Sequence, residues 1–283
     1  MENLKAVTDL ARLKASILVG LAVILGQVVV LTGLAPFDQL ILGFLVGFVL
    51  SASTNTINDV FDLELDRLEK PERPLPQAEL SVFQAILLFA IETFLAILCS
   101  LFLNLPAFIL TVFIAGISFM YSYSLKNYLL FKNTLTAFGV ASAFLVGALS
   151  IGRILPLAVI LFFFQIFITV VAFEVHKDIA DVEGDYYLGK KTIATTFGTR
   201  KAAFLAVFLY SAAFLLFQGI LIQSTSSLIG WLWIVDVLGT IIGFYFLFPI
   251  MREQDPPTIH RARKRIMATL GIFVVASILN FLG

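Results

Sequence analysis

Long apolar runs separated by short polar links dominate the pattern of this sequence. A helix needs about 20 mainly apolar residues to cross the hydrocarbon core of a bilayer. By that criterion the pattern predicts nine spanning helices, with two long polar links at 59–79 and 176–201. The predicted spans are 15–35, 37–58, 80–103, 106–124, 133–152, 154–175, 202–223, 227–250 and 267–282.

The composition supports lipid as the solvent of these helices. Hydrophobic residues make up 60% of the 283 positions and charged residues only 13%, whereas a soluble domain carries about 25% charged residues. The formal net charge is zero, so bulk charge indicates no nucleic-acid partner. We therefore expect an all-α, multi-pass protein of the cell membrane in contact with membrane lipid. Residues 1–283 are expected to form a single transmembrane domain, and no obligate protein partner is evident.

The basic residues predict the orientation of the chain. With nine helices, every Lys and Arg except Arg153 falls on the side of the N-terminus. Basic loops of multi-pass proteins face the cytoplasm. The N-terminus and both long links are thus predicted to be cytoplasmic, and the C-terminus to lie on the opposite side. Arg12 and Lys14 are interpreted as topology anchors.

Polar residues recur with one spacing at the ends of the second and sixth predicted helices. Each segment has a polar residue at offsets 0, +4, +7 and +11, and the last three are aspartates in both. At about 100° per residue these positions fall within about a 60° arc if the helix continues. The first set is Asn55, Asp59, Asp62 and Asp66, and the second is Glu174, Asp178, Asp181 and Asp185.

Crowded carboxylates repel one another, and a hard divalent cation relieves that repulsion. Mg²⁺ prefers oxygen ligands and typically uses one or two carboxylates together with substrate phosphates. The two acidic segments are therefore predicted to bind Mg²⁺ and a diphosphate, with nearby Lys and Arg neutralising phosphate oxygens. The alternative is that they are solvated helix ends with ordinary surface charge.

Three stretches give the sequence a resemblance to the UbiA superfamily of intramembrane prenyltransferases. The first reads N-D-x-x-D-x-x-x-D-R from Asn58, followed by K-P-x-R-P-L-P from Lys70. The second reads K-D-x-x-D-x-E-G-D from Lys177, followed by G-x-K-T from Gly189. The third, Y-x-Y-x-x-K, begins at Tyr121. The family often continues R-P-L-P with Ser-Gly, whereas Gln77-Ala78 stands here.

The resemblance implies a nine-helix bundle with cytoplasmic-side helical loops, which moves a polyprenyl group from its diphosphate to an acceptor with Mg²⁺ as cofactor. The two segments would then be two halves of one diphosphate site above an apolar cavity. Residues assigned to metal binding are Asp59, Asp62, Asp66, Asp178, Asp181 and Asp185. Residues assigned to the diphosphate are Asn55, Asn58, Arg67, Lys70, Arg73, Lys126, Lys177 and Lys191. Residues assigned to catalysis are Asp66, Lys126, Tyr123 and Tyr121, although the two tyrosines and Lys126 also suit an interfacial aromatic belt.

The second segment looks most like the archaeal lipid branch of the family. That likeness implies a geranylgeranyl donor and geranylgeranylglyceryl phosphate as a small lipid acceptor. Chlorophyll synthases have similar motifs, so an aromatic acceptor of quinone or chlorophyll biosynthesis is the alternative within the family.

A secondary transporter is the alternative from another class, because Glu92 and Asp236 lie inside predicted helices. Transporter sites lie near the middle of the membrane, whereas the acidic segments lie at one face. We interpret Glu92 and Asp236 as structural groups that are protonated or hydrogen-bonded, and His176 as a solvated loop histidine.

Overall fold

The computed structural model describes residues 2–124, 129, 131–152, 155–222 and 229–282, and in this part of the chain all regular secondary structure is α-helical. Some helical side chains, among them that of Asp236, lie outside the description. The helices are α1 Glu2–Leu10, α2 Leu13–Leu31, α3 Phe37–Phe61, α4 Leu63–Glu69, α5 Val82–Leu101, α6 Leu105–Tyr123, α7 Phe131–Ile151, α8 Leu157–Ala180, α9 Val182–Tyr187, α10 Ile193–Phe197, α11 Thr199–Ile222, α12 Ile229–Arg252 and α13 Pro256–Leu282.

Each predicted span corresponds to one of the nine long helices α2, α3, α5 to α8 and α11 to α13. Seven of them, α2, α3, α5 to α8 and α11, have the length and hydropathy of a membrane span over described residues. The described apolar stretch of α12 is shorter, Val237–Arg252. Helix α13 begins with a basic stretch before its apolar part. The protein is therefore a multi-pass membrane protein, and the count of nine spans stays a prediction.

Polar caps and prolines set the helix starts. Pro36 and Pro156 precede α3 and α8, where a fixed φ and a missing N–H cost nothing. The Ser81 hydroxyl accepts from the backbone N–H of Gln84, and the Gln84 side chain accepts from the N–H of Ser81, a capping box. Asn104 caps α6 and donates to two carbonyls at the end of α7, both at 2.8 Å. These caps fix where the spans end and the links begin.

The chain folds as two compact units, and each contains one acidic segment. The first unit is Met1–Lys126 with Ser142–Ile154, and the second is Asn127–Ala141 with Leu155–Gly283. In the first unit, α3 packs against α2 and α5, with Val23, Val46 and Ala96 in its core. In the second, α8 packs against α11 and α13.

Glycine lets two helices of the first unit approach closely. A Cβ atom on Gly26 of α2 would collide with the carbonyl of Phe144, and one on Gly147 would collide with the backbone of Val23. Small residues allow such backbone contact between membrane helices, where van der Waals packing is the main attraction. The part of α7 that follows Ser142 is thereby fixed against α2.

Candidate active site

Both acidic segments have the same backbone structure. Helix α3 ends before Asp62, which has φ −94° and ψ 2°, and α4 begins directly after it. Helix α8 ends before Asp181, which has φ −95° and ψ 4°, and α9 begins directly after it. The duplicated spacing in the sequence therefore corresponds to a duplicated helix–helix junction, with the aspartate at offset +7 as its hinge residue in each case.

This junction corrects the assumption that each set lies along one continuous helix. The aspartates at offsets +4 and +11 are buried in both segments. In the first segment Asp59 is 4% exposed and Asp66 is 2% exposed. In the second, Asp178 is 1% exposed and Asp185 is 8% exposed. The +7 aspartates are more accessible, since Asp62 is half-buried and Asp181 is exposed. The break in the helix therefore separates a buried pair from a more exposed hinge residue in both segments.

In the first unit, two carboxylates converge on one cation. The Nη1 atom of Arg73 donates to Asp59 Oδ1 at 3.0 Å and to Asp66 Oδ2 at 2.5 Å. Arg12 donates to the same Asp59 oxygen at 2.6 Å, and Lys70 Nζ lies 3.8 Å from Asp66 Oδ1. The buried charges are thus compensated by three cations, as buried carboxylates require.

A small apolar core holds both arginines in place. Ala6 and Leu10 of α1 pack with Leu75 and Leu80 of the loop that follows Arg73. Arg12 lies between α1 and α2 with a positive φ of 47°. In the same loop Ala78 also has a positive φ, 59°. A glycine adopts this left-handed conformation without a Cβ clash, and the family often has a glycine here. This chain adopts the same conformation with an alanine.

The other predicted residues of the first segment have local partners. Asn58 Nδ2 donates to Asp62 Oδ2 at 2.9 Å, and so orients the hinge aspartate. Asn55 Nδ2 donates to the carbonyl of Ala11 at 3.4 Å. Arg67 pairs with exposed Glu64 at 2.8 Å, a surface pair of small energetic value. The assigned diphosphate roles of Asn55, Asn58 and Arg67 stay predictions.

In the second unit, two consecutive residues, Lys132 and Asn133, donate to the two carboxylate oxygens of buried Asp178. Asp178 Oδ1 accepts from Lys132 Nζ at 3.0 Å, and Oδ2 accepts from Asn133 Nδ2 at 3.1 Å. Asp185 pairs with Lys190 at 3.4 Å. Burial raises the pKa of Asp185, although the positive charges of Lys190 and Lys132 act in the opposite direction. The second pair is thus compensated by cations, like the first.

Three site residues were missed by the sequence reasoning. Arg12 was interpreted as a topology anchor, yet it forms an ion pair with Asp59. Lys132 lies directly before the predicted span 133–152 and Asn133 begins it, 46 and 45 positions from Asp178. The sequence feature that could have identified Lys132 and Asn133 is that two polar residues stand together at the start of an otherwise apolar helix.

Four further predicted residues, two tyrosines and two lysines, lie among the described residues. Tyr123 is 68% exposed and stacks on Phe119 with a centroid distance of 6.5 Å. Tyr121 and Lys177 are half-buried, and Lys191 is exposed. Lys126 lies outside the described residues. The assignment of these side chains to catalysis or diphosphate binding stays a prediction.

His176 is not a solvated loop histidine. Helix α8 continues to Ala180, which places His176 inside the helix with no exposed surface. Its Nδ1 lies 3.5 Å from the hydroxyl of Tyr210, whereas its Nε2 has no hydrogen-bond partner among the described residues. The prediction was wrong because the helix extends five residues past the predicted end of the span.

Glu92 is hydrogen-bonded, as interpreted from the sequence. Thr56 Oγ1 donates to Glu92 Oε2 at 2.9 Å across the α3–α5 interface. The next pair along these helices, Ser53 and Thr93, forms a hydrogen bond of 2.6 Å. The interpretation of Asp236 concerns a side chain outside the described part of the chain.

The donor set fits a divalent cation, although no group of three or more His, Cys, Asp or Glu side chains converges within the described residues. Asp59 and Asp66 both lie within hydrogen-bond distance of one nitrogen of Arg73, so their oxygens share one cation position. Mg²⁺ typically takes one or two carboxylates from a protein, with water and substrate phosphate supplying the rest, so a pair of carboxylates is sufficient.

Comparison with known proteins places the chain among prenyltransferases. The UbiA prenyltransferase family model matches residues 18–274. A digeranylgeranylglyceryl phosphate synthase of Thermococcus kodakarensis is 34% identical over 273 residues, which is 96% of each chain.

Two solved structures share the fold over nearly the whole chain. One concerns digeranylgeranylglyceryl phosphate synthase in membranes and gives a TM-score of 0.83 at 28% identity, covering 100% of this chain and 99% of the other. The second is a UbiA homologue from Archaeoglobus fulgidus bound to GPP and Mg²⁺, with a TM-score of 0.72 at 19% identity, covering 98% and 99%. At that identity the second likeness shows the fold alone.

Proposed function

The chain belongs to the UbiA prenyltransferase family, and we propose that it transfers a geranylgeranyl group from geranylgeranyl diphosphate to geranylgeranylglyceryl phosphate. The observation that carries this choice of acceptor is the 34% identity over 96% of both chains to a digeranylgeranylglyceryl phosphate synthase. Family membership confirms the prediction of a prenyltransferase over that of a secondary transporter.

The buried carboxylate pairs are the proposed metal ligands. Asp59 and Asp66 bind one Mg²⁺, and Asp178 and Asp185 bind another. The assignment of the hinge residues Asp62 and Asp181 to the same ions stays a prediction, because no three acidic side chains converge among the described residues. Two supporting observations are the burial of these pairs and their existing compensation by cations. Bound Mg²⁺ would neutralise the negative charge that develops on the departing diphosphate.

The cations that now hold the carboxylates are the proposed diphosphate donors. With a metal ion held by Asp59 and Asp66, the guanidinium of Arg73 would be available to donate to phosphate oxygens. Arginine suits this role because its planar fork binds phosphate through two parallel hydrogen bonds. Lys132 is proposed to do the same in the second unit, where it holds Asp178. The sequence analysis predicts that both carboxylate pairs bind the same diphosphate, and this stays a prediction.

Apolar helices shield the reacting carbon from water. Loss of diphosphate leaves an allylic cation, which water would capture if the site were open. The rings of Phe61, Phe119 and Tyr123 cluster at the end of α3, with centroid distances of 5.7 to 6.5 Å. Their π-faces lie in the same unit as the first carboxylate pair and are suited to stabilise a positive charge.

The proposed placement in the membrane has nine spans. Helices α12 and α13 contain 24 and 27 residues, which gives lengths of about 36 and 40 Å at 1.5 Å per residue. With both of them crossing, all Lys and Arg except Arg153 fall on the side of the N-terminus. That side is the cytoplasm by the positive-inside rule, and the C-terminus lies opposite.

The test is an acceptor panel with purified protein in zwitterionic lipid nanodiscs. Labelled geranylgeranyl diphosphate is supplied with geranylgeranylglyceryl phosphate, an aromatic acid or chlorophyllide, in Mg²⁺ or in EDTA. The proposal expects labelled digeranylgeranylglyceryl phosphate, formed only with Mg²⁺. Efficient transfer to an aromatic acceptor or to chlorophyllide, with none to geranylgeranylglyceryl phosphate, would refute it.

A further inference from the structure

Basic side chains are concentrated at the start of α13, and none of them has a role in the proposed binding of Mg²⁺ or diphosphate. None of them has a carboxylate within ion-pair distance among the described residues, in contrast to Arg12, Arg73 and Lys132. Asp255, the nearest acid before this stretch, accepts from the backbone N–H of Thr258 at 3.0 Å and so caps the helix. The basic residues are His260, Arg261, Arg263, Lys264 and Arg265.

The packing of α13 aims part of this basic stretch at the second acidic segment. Ile259, Ala262 and Ile266 form its buried face, with 0%, 3% and 0% exposure, and α13 packs against α8. The Arg263 guanidinium lies over the ring of Phe173 in α8, 5.2 Å from the centroid. Since Phe173 directly precedes Glu174, Arg263 lies beside the start of the acidic segment.

His260 and Arg263 stand one turn apart on the same side of α13. His260, Arg263 and Lys264 occupy positions i, i+3 and i+4, so they form one basic patch next to the acidic segment.

His176 connects α13 to the acidic segment. Its side chain is fully buried, and Nδ1 lies 3.5 Å from the Tyr210 hydroxyl of α11. The backbone of Ile259, at the start of α13, lies close to the same ring. The start of α13 is therefore packed against α8 two positions before Asp178.

We propose that His260, Arg263 and Lys264 bind the phosphate group of the acceptor substrate. This inference rests on the proposed function, because it requires an acceptor that carries a phosphate. Arg73 and Lys132 are already assigned to the diphosphate, so the acceptor phosphate needs cations that no carboxylate holds. Arg263 meets that need, because no carboxylate among the described residues pairs with it and its guanidinium is placed 5.2 Å from the Phe173 centroid. An arginine can bind a phosphate through two parallel hydrogen bonds. Phosphate binding there leaves the acceptor next to the second metal pair.

The experiment measures KM for each substrate in Arg263→Gln, in zwitterionic nanodiscs with saturating Mg²⁺. Loss of one charged phosphate contact should raise KM for geranylgeranylglyceryl phosphate by roughly ten- to a hundredfold. The KM for geranylgeranyl diphosphate should stay within about twofold of wild type. Arg263→Lys should give an intermediate KM for the acceptor, because it keeps the charge and loses the fork. Arg200→Gln, which removes an exposed cation at the start of α11 in the same unit, should leave both values unchanged.

Binding without turnover provides a second readout. Wild-type protein in EDTA should bind geranylgeranylglyceryl phosphate more tightly than the dephosphorylated alcohol, and Arg263→Gln should lose that preference. Lys264→Gln removes an exposed side chain and should weaken phosphate binding by roughly threefold without affecting folding. An unchanged acceptor KM in Arg263→Gln would overturn the inference. A change that occurs only in nanodiscs containing phosphatidylglycerol would also overturn it, because it would assign the patch to bulk anionic lipid. If wild type forms no product with geranylgeranylglyceryl phosphate, the proposed function itself fails and takes the inference with it.

Discussion

Lys132→Met tests how the second carboxylate pair is held. The substitution removes the positive charge 3.0 Å from Asp178 Oδ1 and keeps an apolar stem of similar length. Asp178 is only 1% exposed, so water cannot replace the lost ammonium. Asn133 would remain as the partner of Oδ2. The variant therefore leaves a buried carboxylate with one neutral donor.

The magnitude follows from the burial of the two partners. Removal of one partner of a buried pair costs about 3–5 kcal/mol, and of an exposed pair about 0–1 kcal/mol. The Lys132 side chain is 32% exposed and Asn133 remains, so we expect a loss of about 2 kcal/mol in unfolding free energy. That corresponds to a fall in Tm of roughly 4–8 °C. Asp178→Asn in the Lys132→Met background should recover most of the loss, because no charge is then buried.

The assay is thermal unfolding in detergent, with EDTA or with Mg²⁺. Added Mg²⁺ should raise the Tm of Lys132→Met more than that of wild type, because the ion would replace the missing cation. Lys201→Met is the matched control, since Lys201 is exposed at the start of α11, and its Tm should equal that of wild type. Equal Tm values for Lys132→Met and Lys201→Met would refute the reasoning. Additive effects in the double variant would refute it as well.

Three further predictions concern the first unit. Arg73→Gln should raise KM for the prenyl diphosphate by roughly tenfold or more in steady-state assays. Lys5→Gln, which removes an exposed cation of α1 in the same unit, should change that KM less than about twofold. Glu92→Gln keeps an oxygen that accepts from Thr56 and should unfold within about 0.5 kcal/mol of wild type, whereas Glu92→Ala should cost about 1–3 kcal/mol. Ala78→Gly should raise Tm slightly, by up to about 2 °C, because it relieves a left-handed alanine; a lower Tm would contradict that explanation.

The helices and the duplicated spacing were accessible from the sequence because both are local. An apolar run of about 20 residues predicts a spanning helix wherever it occurs, and all nine predicted spans match long helices. The spacing of the aspartates likewise requires only counting. Both segments were located correctly, and only the hinge at Asp62 and at Asp181 was missed.

The partners of the carboxylates were not accessible, because they come from distant parts of the chain. Lys132 and Asp178 are 46 positions apart and meet only when the start of α7 lies beside the end of α8. Arg12 meets Asp59 across 47 positions. Periodicity describes one helix at a time and carries no information on which helices are neighbours. His176 was misjudged for a related reason, since its burial comes from the packing of α11 and α13 around α8.

The central claim is that the buried aspartate pairs hold the metal ions for prenyl transfer. It is tested most directly by the rate of diphosphate release as a function of Mg²⁺ in wild type, Asp66→Asn and Asp185→Asn. The account predicts that release by wild type requires both Mg²⁺ and the acceptor, and that each variant loses roughly a hundredfold or more in rate. Near wild-type release by either variant at the same Mg²⁺ concentration, or full release by wild type in EDTA, would contradict it.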